Sequence, residues 1–169
     1  MAWFTLTPEV PADNADKTWD NTTDPPTLVS VVFSFVASVG TELFSSGLGG
    51  IHGVTEPLAE ALAETDFTGY RLVPATGERS IYYQDRAEVF GEDVGPDPLT
   101  IPTTLFALEV NGRAGVDDFA QTRRLVLSER ATDFLCARDP GLSTLRGEVD
   151  ETGRMMGSIS DIFKGTGPQ

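Results

Sequence analysis

One pattern in the chain recurs at a fixed distance. Val54-Thr55-Glu56-Pro57-Leu58-Ala59-Glu60-Ala61-Leu62 returns 73 residues later as Leu127-Ser128-Glu129-Arg130-Ala131-Thr132-Asp133-Phe134-Leu135. Each copy reads apolar residue, hydroxyl, Glu, then apolar residues at helical spacing, and a Gly-bearing turn follows. Thr55 and Ser128 suit helix N-caps, where a side-chain oxygen accepts from an otherwise unpaired N–H. Glu56 and Glu129 complement the helix dipole, and Pro57 costs nothing in the first turn. The stripes Leu58, Ala61, Leu62 and Ala131, Phe134, Leu135 give each helix a face to bury. A chain with this spacing is constrained to carry two similar strand-to-helix units.

The remaining segments are read around those units. The first 27 residues, rich in Pro, Asp, Asn and Thr, are expected to lie as an extended segment on the body, anchored by Trp3, Phe4 and Trp19. Pro25-Pro26 ends it, because neither ring donates to a ladder. From Leu28 to Val39 the pattern alternates, with Val29, Val31, Phe33, Phe35, Ala37 and Val39 on one face, which reads as a strand. Thr41 to Ser46 reads as a short helix or a turn, and Gly47-Leu48-Gly49-Gly50 breaks the chain. Tyr70 to Val73 is a strand ended by Pro74, Gly91 to Pro98 an exposed acidic loop, and Thr104 to Val110 a central strand. Asn111-Gly112 signals a tight turn, and Arg124 to Leu127 a further strand. Met155, Met156, Ile159, Ile162 and Phe163 recur at helical spacing. The expected fold is therefore α+β: a mostly antiparallel sheet, two helices from the repeated unit and a C-terminal helix. Residues 28–164 are read as one domain, and 165–169 as a frayed tail.

The 169 residues are 40% apolar and carry a formal net charge of −14. Residues 1–100 hold −12 of it and residues 101–169 only −2. Phosphate-rich partners need a basic face, so nucleic acid and anionic membranes are disfavoured, and a basic protein partner is favoured. The single cysteine, Cys136, makes no internal disulfide, and the N-terminus lacks a signal-peptide pattern. A cytoplasmic, reducing compartment is the expectation.

Few residues fit known catalytic or metal-binding spacings. His52 is the one histidine, without the partners of a zinc site or a nucleophile–base pair. Cys136 reads as a packed thiol beside Phe134 and Leu135. Asp117 and Asp118 are adjacent, so their side chains tend to diverge; a turn or cap role outweighs paired acid catalysis. Asp85, Glu88, Glu92, Asp93 and Asp97 lack calcium-loop spacing. No catalytic residue, cofactor or metal is expected.

The run Gly112-Arg113-Ala114-Gly115-Val116-Asp117-Asp118-Phe119 followed by Arg124-Leu125-Val126-Leu127-Ser128-Glu129-Arg130-Ala131 carries a resemblance. So do Val31-Val32-Phe33-Ser34-Phe35 and Leu43-Phe44, and the first repeat copy with Phe67-Thr68-Gly69-Tyr70. Together they resemble small bacterial immunity proteins of polymorphic toxin systems, in particular immunity family 11 and its relatives, over most of Val29 to Leu145. The resemblance implies a cytosolic inhibitor that binds a cognate toxin. On that reading Glu92, Asp93, Asp97, Asp117 and Asp118 are expected to dock on a basic cleft of the toxin. Two rival expectations stand beside it. One is a hydrolase working through Asp117, Asp118 or Glu129. The other is a structural subunit, a homodimer formed through Met155, Ile159 and Phe163.

Overall fold

The structure, a computed structural model, describes residues 2–48, 50–82 and 99–156. Among the described residues the fold is α+β, with ten strands in two mostly antiparallel sheets and two α-helices. The chain divides into two compact units. One comprises residues 8–66 and 71–109, the other 1–7, 67–70 and 110–169.

The first unit is built on a six-stranded sheet. Its strands are β2 (Ala12–Asp20), β3 (Thr27–Phe35), β4 (Leu43–Ser45), β5 (His52–Thr55), β6 (Tyr70–Arg79) and β7 (Leu105–Val110), and α1 (Glu56–Ala63) follows β5. Along the sheet the order is β2-β3-β6-β7-β5-β4. The two outer strands then meet. Ala12 and Ser46 form a parallel bridge, Ser45 N donates to Glu9 O (2.8 Å), Gly47 N to Ala12 O (2.9 Å) and Leu48 N to Asp13 O (2.7 Å). The sheet thus closes on itself, which removes part of the unpaired edge that an open sheet would leave.

Inside this closed sheet Phe33, Phe35 and Phe44 are fully buried, their ring centroids 5.1 to 6.1 Å apart. Small residues make room for them. Gly53 stands directly across the ladder from Phe44, and a Cβ there would lie 2.1 Å from the ring. Burying each phenyl group contributes about 1.5–3 kcal/mol, so this triad with Leu28, Val31, Val73 and Leu105 holds the unit together.

The second unit carries a four-stranded sheet of order β10-β1-β9-β8, made from β1 (Trp3–Leu6), β8 (Phe119–Gln121), β9 (Leu125–Ser128) and β10 (Gly147–Val149). Helix α2 (Glu129–Arg138) and a 3-10 turn (Pro140–Leu145) lie between β9 and β10. Trp3, Ala120, Val126 and Val149 pack into one core, and the Arg146 guanidinium lies 3.5 Å from the centroid of the Phe4 ring.

The repeat is real and larger than its sequence signature. Thr55 and Ser128 occupy the N-caps of α1 and α2 with extended backbone, as expected. Each helix is also preceded by a short antiparallel hairpin, β4-β5 in one case and β8-β9 in the other. Each cap residue donates its N–H to the residue just before the hairpin, Thr55 to Glu42 O and Ser128 to Asp118 O, both at 2.9 Å. The duplicated element is a hairpin plus a helix.

Several expectations need correction. The first 27 residues are not a strap on the body: they supply β1 to one sheet and β2 to the other. Polar composition hid β2, whose residues from Asp16 to Trp19 all face solvent. Trp19 is 43% exposed rather than an anchor. The boundary between the two compact units falls within the expected range of residues 28–164. Thr41 to Ser46 contains the strand β4, too short to show an alternation. The face of β3 is inverted at its start, with Leu28 buried and Val29 48% exposed. A register shift between Thr18 and Trp19 explains it, because one extra residue flips every side chain beyond it. Pro74 does not end β6; it sits on an exposed position just before the pairing with β3 starts at Ala75. Asn111-Gly112 is not a hairpin turn: both N–H groups donate to Gly69 O. Of the expected tail helix, Met155 forms an antiparallel bridge with Val149 and Met156 a turn, while Ile159, Ile162 and Phe163 lie outside the described residues, as do 165–169. Among the described residues no helix is long and apolar enough to cross a membrane.

Candidate functional site

Asp118, Ser128 and Arg130 assemble with Thr68 into a latch in the second unit. Asp118 is only 6% exposed. Its Oδ1 accepts from Ser128 Oγ (2.6 Å) and Arg130 Nε (2.7 Å), and its Oδ2 from Arg130 Nη2 (2.6 Å) and Thr68 N (3.0 Å). Ser128 Oγ in turn accepts the N–H of Ala131 at 3.3 Å, completing the helix cap. The Arg130 guanidinium also lies 5.0 Å from the centroid of the Phe67 ring, which stacks edge-on against Phe134 of α2. One carboxylate therefore joins the segment after α1, the start of β8 and the first turn of α2.

Burial by itself would raise the pKa of Asp118. The bonds from Arg130, Ser128 and Thr68 outweigh it and hold the carboxyl at about 2. A folded-state value below the ordinary 3.8 means that the ionised carboxylate stabilises the fold above pH ~4, and that this stability is lost as pH falls through the folded value. The expected loss is about 2 kcal/mol between pH ~4 and pH ~2. Urea midpoints measured across that range check it, and a flat profile contradicts the latch.

The first repeat copy lacks this device. Pro57 stands where Arg130 stands in the second, and Thr55 Oγ1 is buried with no hydrogen-bond partner among the described residues. The duplication is one of scaffold, and the ion pair belongs to one copy.

These distances correct the expected contact surface. Asp118 is committed to the interior and is no docking residue. Asp117 is half-buried and accepts from Arg113 N at 2.8 Å, a turn role. Glu92, Asp93 and Asp97 lie outside the described residues, as do Asp85 and Glu88. The three acids of the hydrolase reading are not brought together as a catalytic pair: Asp118 is ion-paired, Asp117 closes its own turn and Glu129 is exposed at the start of α2. His52 lies in β5, not in a loop, and its Nδ1 is 2.7 Å from Ser45 Oγ directly across the ladder. Cys136 is partly buried, and burial pushes its thiol pKa up, which suits a packed side chain. No group of three or more His, Cys, Asp or Glu among the described residues is placed to hold a metal.

A different surface stands out in the first unit. The β2-β3 hairpin exposes two large apolar side chains, Trp19 and Val29, at 43% and 48%. Acids accompany them. Asp16 and Asp24 are exposed, and Asp20 is held ionised below the usual carboxylate range, because Thr22 donates to Oδ1 from both Oγ1 (2.6 Å) and N (2.9 Å). β2 is also an outer strand, and beyond Asp13 no second strand among the described residues pairs with it. The aromatic residue was visible in the sequence, but its exposure depends on the register shift beside it.

Comparison with known proteins finds no matching family model, no matching curated protein and no matching solved structure.

Proposed function

We propose that the protein is an immunity-type inhibitor that binds a cognate bacterial toxin and covers its working surface. The observation that carries this reading is the exposed Trp19 on the outer β2-β3 hairpin, set among Asp16, Asp20 and Asp24. Buried aromatic anchors dominate most protein interfaces, and surrounding acids accelerate encounter with a basic partner. The net charge of −14 and the resemblance of the Asp118–Ser128–Arg130 segment to immunity proteins support the same conclusion. On this reading the latch is scaffold and the outer hairpin carries specificity.

The test first asks whether a secreted toxin is encoded beside this gene or is recovered with the intact protein by pull-down from its host. The intact protein is expected to form a complex with that toxin and to protect cells that express it. Trp19→Ala is expected to weaken the complex by roughly 30-fold or more, as a hot-spot residue does, with the melting temperature unchanged. Absence of a wild-type complex overturns the immunity reading. Full affinity in a Trp19→Ala, Asp16→Lys double variant overturns the hairpin as the contact.

A further inference from the structure

Positive charge is scarce in this chain, with 12 Lys and Arg against 26 Asp and Glu. Three of those cations nevertheless share one cleft. Arg123, Arg124 and Arg154 line a hollow of about 660 Å³ in the second unit, together with Thr122, Thr152 and Gly153. All three arginines are exposed, and none forms an ion pair among the described residues.

The cleft is built, not incidental. Two tight turns make its walls. In the β8-β9 turn Thr122 N donates to Arg124 O at 3.1 Å. In the other, Asp150 N donates to Arg154 O (2.8 Å), and Asp150 Oδ1 accepts from Thr152 N (2.8 Å), Thr152 Oγ1 (2.6 Å) and Arg154 N (3.0 Å). The Asp150 carboxylate is thereby occupied with its own turn; the bond from Thr152 above all, and Arg154 to a lesser extent, keep it ionised. The turns approach so closely that a Cβ on Gly153, which has φ +79°, would lie 2.9 Å from the Thr122 methyl.

Three exposed arginines lining one hollow make a basic patch on an otherwise acidic protein, a place that favours an anion. Arginine forks match oxyanions with paired N–H donors, and a carboxylate's two oxygens are satisfied by a single fork. A tetrahedral dianion offers acceptors on several sides and uses all three. We propose that this cleft is a phosphate-binding site, for inorganic phosphate or the phosphate group of a small ester. The site is independent of the toxin-binding hairpin.

The experiment is an NMR titration of the isotopically labelled full chain with sodium phosphate at constant ionic strength. Saturable shifts are expected at the amides of residues 122–124 and 152–154. Arg124→Gln and Arg154→Gln are each expected to weaken binding about tenfold or more, the usual effect of removing a charged hydrogen bond. Arg113→Gln, which makes the same change in net charge outside the cleft, is expected to leave the affinity unchanged. Arg154→Lys keeps the charge and removes the fork, so it is expected to bind more weakly than wild type. Non-saturating shifts, shifts spread over the surface, or equal affinity in the cleft variants and Arg113→Gln would overturn the proposal. Acetate binding as tightly as phosphate would also overturn it, by showing that one fork suffices. A glycerol phosphate arm separates the two sources: binding equal to phosphate assigns an ester ligand, and exclusion of it assigns the free ion.

Discussion

Substituting alanine for Gly69 is expected to destabilise the protein by about 3 kcal/mol or more. Gly69 has φ +87°, a conformation that costs any residue with a Cβ. The added methyl would also lie 2.1 Å from Phe119 O, 2.7 Å from Asp117 Cβ and 3.0 Å from Gly112 Cα. Two of those three atoms are backbone, so no side-chain rotation relieves the overlap. Gly69 O meanwhile accepts from Asn111 N (2.9 Å) and Gly112 N (3.0 Å), which fixes the approach from the other side. Gly50 supplies the comparison. Its φ is +58°, and among the described residues nothing lies within 4 Å of the place a methyl group would take. Gly50→Ala is therefore expected to cost only about 1 kcal/mol, the strain alone. Urea unfolding of both variants measures the difference, and equal losses would contradict the close packing at Gly69.

Breaking the latch is the second large effect. Arg130→Ala removes the cation and leaves Asp118 buried with only Ser128 and Thr68 as donors. Removing one partner of a buried pair typically costs about 3–5 kcal/mol. Here the lower end is expected, because the Arg130 side chain is itself 52% exposed and is partly screened by solvent. Asp118→Ala strands Ser128 Oγ and the N–H of Thr68 while freeing Arg130 to hydrate, so a loss of about 2–3 kcal/mol is expected. The two variants differ in acid. In Arg130→Ala the desolvation of Asp118 is less opposed, its pKa rises, and loss of stability sets in at higher pH than in the intact protein. In Asp118→Ala the acid-dependent loss assigned to this carboxyl disappears. Urea titrations at several pH values separate these outcomes, and parallel pH profiles for the three proteins would exclude Asp118 as the titrating group.

The parts of the fold that were legible in the sequence share a property: their signals are local. The hydroxyl-Glu-stripe pattern marked both helix starts because a cap and a first turn span only a few residues. Leu105 to Val110 and Leu125 to Leu127 announced themselves as strands by continuous apolar side chains. Phe33 and Phe35 were placed on one buried face by the period-two alternation of their strand. What stayed hidden depends on partners distant in sequence. β2 is polar because its outward residues meet water, so its strand character comes from pairing with β3. β4 and β8 have three residues each, too few for a period to show. The tie between Asp118 and Arg130 spans 12 positions and two strands, and no spacing rule connects them. The same limit applies to the sites. Trp19 read as a buried anchor because exposure is set by the bulge opposite it, and the three arginines looked unrelated until two turns brought them together.

The seam between Ala12 and Ser46 has a consequence for how the protein is made. A hoop of six strands is complete only when its last stave is present, and that stave is residues 105–110. Until the ribosome has delivered them, β5 and β6 each lack a neighbour, and the rings of Phe33, Phe35 and Phe44 sit in a shell with one wall missing. Pairings that span such sequence distances form slowly, so the nascent chain must pass through a sticky, unfinished stage that its heavy negative charge helps to keep in solution.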